Sequence, residues 1–195
     1  MNHIKDTNET VEKIAAHFEE IIKLLGEDTQ REGLLKTPIR AAKALYKSTK
    51  GYRGEDALTI AQKAIFEHAG SNMIIVKDIE FYSFCEHHIL PFFGRVSIGY
   101  IPNGKMIGLS KLARIVDVFA QRLQVQERLT AEVCQAVAKS LDAKGVIVIC
   151  NAQHLCMKMR GVEKQDSSTT TIDYIGEFEN SLALRNEFFE SLKYS

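Results

Sequence analysis

The sequence carries no excess of charge. Lys and Arg number 25, Asp and Glu number 25, and with histidine neutral the net charge is zero. Nothing in this balance points to a general nucleic-acid or membrane surface, so any anion site must be local. Near-zero charge also does little to keep copies of the chain apart, which permits self-association. No apolar run approaches the roughly 20 residues that cross a bilayer, and the first ten residues are mostly polar or charged, unlike a secretory leader. The expectation is a cytoplasmic protein with no membrane and no nucleic-acid partner. Low-complexity stretches and internal repeats are lacking. Cysteine is scarce: Cys85, Cys134, Cys150 and Cys156. In a reducing compartment these are thiols, so metal binding or burial outranks a disulfide framework.

What is present suits one domain with a sizeable core and an N-terminal appendage: 195 residues, 45% apolar and 26% charged. Val11, Ile14, Ala15, Phe18, Ile21, Ile22 and Leu25 recur at helical spacing, which predicts an amphipathic helix ending near Gly26, with Asn8 or Thr10 as its cap. Its apolar face is wide enough to need a partner surface. Thr37-Pro38 reads as the start of a second helix that puts Arg40 and Lys43 on one face. Gly51 to Gly54 reads as a linker, so the expected division is a helical segment over 1–52 and a domain over 53–195. Strands are expected at 73–76, 79–84 and 96–101, then a turn at Pro102-Asn103-Gly104-Lys105. Two helices follow, the first capped by Ser110, then strands at 146–150, 155–160 and 169–175 and a closing helix around Phe188. This is an α+β domain with a mainly antiparallel sheet.

The chemistry concentrates at Cys85-Glu86-His87-His88, with His154-Leu155-Cys156 almost seventy residues on. Thiolate and imidazole are preferred zinc ligands. Cys85 and His88 are too few for a tetrahedral site. Cys156 is the natural third ligand, because Cys134 and Cys150 sit inside apolar helix and strand patterns. Three protein ligands leave a position open, as a catalytic site requires. Read as a strand, residues 154–160 put His154, Cys156, Lys158 and Arg160 on one polar face. Lys111 and Arg114 follow Ser110 at a helix start, which is either a solvated face or a phosphate site. Gln126 and Glu127 read, without further context, as polar surface at another helix start.

The wording around these residues resembles the GTP cyclohydrolase I family. Ser83-Phe84-Cys85-Glu86-His87-His88-Ile89-Leu90-Pro91-Phe92-Phe93-Gly94 is similar to its zinc loop. Ile107 to Val116, Gln121 to Thr130 and His154 to Gly161 continue the likeness, which runs from about Thr37 to Phe189. The resemblance implies one Zn2+ per subunit on Cys85, His88 and Cys156. It implies His87 as general acid/base with His154 assisting, and Ser110 beside the ribose with a part in sugar opening. It further implies a triphosphate clamp of Lys111, Arg114 and Arg160, joined by Arg40 and Lys43 of a neighbouring subunit, and a guanine edge read by Gln126 and Glu127. The implied fold is the tunnelling fold, a four-stranded antiparallel sheet with a helix pair, preceded by N-terminal helices and assembled into a homodecamer with sites between subunits. The implied reaction opens the imidazole ring of GTP, releases formate and yields 7,8-dihydroneopterin triphosphate, the first step of tetrahydrofolate and pterin biosynthesis.

Two departures stand out: Cys150-Asn151-Ala152-Gln153, where the family often has acidic residues, and Ile172-Asp173-Tyr174. A related nitrile reductase of the same fold would need a nucleophilic cysteine and no zinc, which the paired histidines and Cys156 argue against. A zinc-stabilised assembly module would predict a closed four-ligand site and has no use for Lys111, Arg114 and Glu127. A zinc deaminase would carry His-x-Glu together with Pro-Cys-x-x-Cys, and that combined pattern is lacking, since no Pro-Cys-x-x-Cys is present.

Overall fold

In the computed structural model, which describes residues 7–70 and 72–193, the chain contacts divide into two units, one ending at Lys50 and the other beginning at Gly51. The first unit holds α1 (Thr7–Leu24) and α2 (Thr37–Ser48). Asn8 and Thr10 lie within the first turn of α1 rather than before it, so neither is the expected cap. Pro38 sits at the start of α2, where a missing N–H costs nothing. Leu24 and Leu25 are 86% and 76% exposed in the single chain, leaving the apolar end of α1 unpartnered within this unit.

The second unit is built on long strands. β-branched and aromatic residues with alternating burial form β2 (Ile74–Cys85) and β3 (Pro91–Ile101), which pair antiparallel. Two separate strands were expected across 73–84; the structure has one strand with a bulge between Val76 and Ile79. Asp78 there adopts φ 57°, and its N–H donates to the Ser97 hydroxyl. β6 (Gly145–His154) pairs with β3, and β7 (Thr169–Gly176) closes that edge. A two-residue strand β5 (Leu123–Gln124) joins the other edge parallel to β2, so the order is β5-β2-β3-β6-β7. Among the elements not anticipated are α3 (Ala57–Gln62), capped by Asp56, and the short strands β1 (Ile65–Glu67) and β4 (Lys105–Ile107), which pair with each other.

Helices α4 (Leu109–Ala120) and α5 (Gln126–Leu141) bury their apolar stripes against one face of the sheet. Leu112, Ile115, Leu129 and Val137 meet Phe81, Val96, Ile98 and Val148 in one core, all at most 2% exposed. The other face is covered at one end by α7 (Glu177–Asn180) and α8 (Leu182–Lys193), through Phe178 and Phe188 on Ile147 and Ile101. The four antiparallel strands with a helix pair, after N-terminal helices, are the expected tunnelling-fold arrangement.

One segment departs from its expected form in a way that matters for the site. Residues 155–160 are not a strand. Strand β6 ends at His154, and Leu155–Lys158 make a single helical turn, α6. The ladder explains the change: His154 pairs with Phe92, and the next partner along β3 is Pro91, which has no N–H to continue the pairing. The expected polar face of His154, Cys156, Lys158 and Arg160 therefore does not exist as a strand face.

Candidate active site

The loop between β2 and β3 is tight. The Cys85 N–H donates to the Leu90 carbonyl, and the His88 and Ile89 N–H groups donate back to the Cys85 carbonyl. Ile89 sits at φ 53°, a left-handed conformation that a β-branched residue rarely accepts. This turn swings His87 and His88 out to solvent while Cys85 stays 5% exposed at the strand end. The Cys85 sulfur lies 3.7 Å from His87 Nδ1 and 3.8 Å from His88 Nδ1.

The helical turn after His154 carries Cys156 to the same place. Ligand atoms of Cys85, His88 and Cys156 lie within 4.8 Å of one another. Two thiols and an imidazole at that separation fit one ion with bonds of about 2.0–2.3 Å. The electrostatics point the same way. Burial pushes the Cys156 thiol up, and the neighbouring Cys85 sulfur pushes it further, while Arg160 pulls it down. Two thiolates in contact need a cation between them to be stable together. The thiols of Cys134 and Cys150 are 0% exposed and belong to the core, as their apolar patterns implied.

His154 is half-buried beside this group. Its ring stacks on Phe92 with centroids 4.6 Å apart and planes 3° from parallel, and its Nε2 lies 2.8 Å from Gln126 Oε1. Burial lowers its pKa, and the Glu127 carboxylate opposes that. Glu127 is exposed in the first turn of α5. Gln126, one residue before it, is 1% exposed rather than on the surface, and its amide is committed within the chain to Cys150, Thr169, Thr171 and His154.

The cations are distributed. Arg160 is exposed beyond α6, near enough to act on Cys156. Ser110 and Arg114 are exposed and Lys111 is half-buried on α4, where Gly108 rather than Ser110 is the N-cap. Arg40 and Lys43 are exposed on α2 of the first unit.

A polar network escaped the sequence reading. The Glu86 N–H donates to the Gln124 carbonyl, Arg128 bonds the Glu86 carboxylate and, through Nε at 2.6 Å, Gln124 Oε1, and Gln124 Nε2 donates to Glu132 at 2.8 Å. Gln124 is 1% exposed. Parallel pairing of Cys85 with Gln124 brings the β2–β3 loop against the start of α5. Glu86 and Arg128 are 42 positions apart, with no periodic signal to link them.

The sequence profile of GTP cyclohydrolase I matches residues 14–193. A protein named GTP cyclohydrolase 1 from Porphyromonas gingivalis is 55% identical over 183 residues, 94% of each chain. One from Parabacteroides distasonis is 49% identical over 192 residues, 98% of this chain and 97% of its own. One from Coxiella burnetii is 52% identical over 180 residues, 92% of this chain and 97% of its own. With a thiol-imidazole-thiol group at the head of α5 and identity at this level over nearly the whole length, the chain belongs to the GTP cyclohydrolase I family.

Proposed function

We propose that the protein is a zinc-dependent GTP cyclohydrolase I, converting GTP to formate and 7,8-dihydroneopterin triphosphate. The observation that carries the reading is the convergence of Cys85, His88 and Cys156 with two further histidines, in a chain of this family. Cys85, His88 and Cys156 would hold the metal, one ion per subunit, and when bound it supplies a Lewis acid that lowers the pKa of water towards neutrality. The residues around it bind, orient and move protons. His87, exposed beside the Cys85 sulfur, gives a proton to the imidazole nitrogen of the base, making the adjacent carbon attackable. His154 assists. Glu127 accepts hydrogen bonds from the donor edge of guanine, an edge adenine lacks. The resemblance also gives Gln126 to that edge; its buried, internally bonded amide favours Glu127 as the reader. Lys111, Arg114 and Arg160 bind the triphosphate, and Ser110 contacts the ribose side and serves sugar opening.

The assembly completes the site in this reading: a homodecamer in the cytoplasm, with Arg40 and Lys43 supplied by a neighbouring subunit. Free rather than paired cysteines and the exposed Leu24 and Leu25 support it. Residues 53–195 form the catalytic domain and 1–52 the helical segment given to assembly. Incubating the zinc-loaded protein with GTP tests the function: formate and pterin fluorescence should rise together. Zinc-loaded oligomer that consumes no GTP would refute it.

A further inference from the structure

We propose that Gln126 fixes the ring tautomer of His154, holding the proton on Nε2 and leaving Nδ1 with the free lone pair. The proposal deepens the reading above and rests on it, since the tautomer serves the reaction only if His154 serves the site.

Gln126 is 1% exposed, so its amide is satisfied within the protein. Its Nε2 lies 2.9 Å from the Cys150 carbonyl oxygen, 2.9 Å from the Thr169 carbonyl oxygen and 3.2 Å from the Thr171 hydroxyl. A main-chain carbonyl accepts and never donates, so the amide end facing two of them must be the NH2 group. Turning the amide over would set its oxygen against both carbonyl oxygens, with no hydrogen between them. Oε1 is therefore the atom 2.8 Å from His154 Nε2. An amide oxygen only accepts, so His154 Nε2 must carry the hydrogen.

The threonines repeat the polarity. Thr130 Oγ1 lies 2.8 Å from the Gln126 main-chain oxygen, to which only the hydroxyl can donate. At the 2.6 Å contact between Thr130 and Thr171 it is then Thr171 that donates, which keeps a Thr171 lone pair turned to Gln126 Nε2. Stacking on Phe92 hinders the turn about Cβ–Cγ that would put a ring carbon in place of Nε2 opposite Gln126. A neutral ring so held presents a bare Nδ1. His154 enters the reaction as a proton acceptor and Gln126 is its positioning residue, while the acid role stays with His87.

The test is spectroscopic first. Nitrogen-15 spectra of the histidine-labelled zinc holoenzyme, assigned with His154→Asn, should show His154 protonated at Nε2 and bare at Nδ1. The opposite pattern would overturn the proposal without any variant at Gln126. Gln126→Met, close in volume but without the amide, should mix the two tautomers and lower kcat by about tenfold or more, with GTP affinity unchanged. Retention of both tautomer and kcat would overturn it. So would lost GTP affinity at unchanged kcat, which would return Gln126 to the guanine edge. Failure of the underlying reading looks different: His154→Ala would then release formate at the full rate, with the wild-type tautomer still as assigned.

Discussion

In the proposed reading Cys156 holds the metal and His87 moves a proton. Cys156 belongs to the set whose ligand atoms lie within 4.8 Å of one another, whereas His87 lies outside that set, 3.7 Å from the Cys85 sulfur and edge-on to the His88 ring. Cys156→Ala should lose most of its metal in elemental analysis. His87→Ala should keep the metal and lose formate release. Loss of metal in proportion to activity in His87→Ala would exchange the roles of His87 and His88. Glu127→Gln puts a donor where guanine also presents donors, costing on the order of 2–4 kcal/mol in transition-state binding. Steady-state kinetics should show a steep fall in kcat/KM for GTP with zinc content intact; an unchanged value would move base recognition elsewhere. The convergence of Cys85, His88 and Cys156 was legible because thiols and imidazoles at such short spacing are preferred metal ligands. The burial of Gln126 was not: nothing in a polar residue at a helix start announces 1% exposure, which depends on strands β6 and β7 arriving from elsewhere in the chain.

At the scale of elements, the site is a junction between the β2–β3 loop and the head of α5, fastened by Arg128. Arg128 bonds Glu86 of the loop and Gln124 of β5, and its charge holds the Glu86 carboxyl below the ordinary range through a hydrogen bond. An ion pair this exposed adds little to global stability. Its consequence is orientation: Glu86 lies between Cys85 and His87, so the pair sets the angle of the loop. Arg128→Met should weaken zinc retention against a chelator by about tenfold and leave the unfolding midpoint nearly unchanged. Equal retention would show that the backbone bonds of the loop suffice. The long strands and the helix pair were readable from alternation and helical spacing, because those patterns report which face is buried. The turn at 155–158 was misread for a reason of the same kind. Its residues alternate as a strand would, and what ends β6 is a proline on the neighbouring strand, a fact of pairing rather than of local sequence.

For the whole molecule, two core thiols tie stability to pH. Burial raises Cys134 and Cys150 from 9.0 to about 12, with Asp173 adding to the first and hydrogen bonds from Thr130, Thr171 and Gln126 opposing the second. Below pH 9 both states hold these protons and the thiols contribute no pH dependence. Between pH 9 and 12 the unfolded chain releases them while the folded one keeps them, so stability falls as pH rises, by about 1.4 kcal/mol per pH unit for each thiol. Denaturant unfolding in the zinc-loaded protein should show that slope; the Cys134→Ala/Cys150→Ala protein should have lost it. A slope identical in both would mean that other groups set the alkaline limit. The account as a whole rests on ring opening at the carbon between the two imidazole nitrogens of GTP. The most direct measurement supplies GTP labelled with carbon-13 at that carbon to the zinc-loaded oligomer and follows the label by NMR. The account predicts that all of it leaves as formate, one for each GTP consumed. Label that stays in a purine while phosphate is released, or that remains in the pterin product, would contradict it.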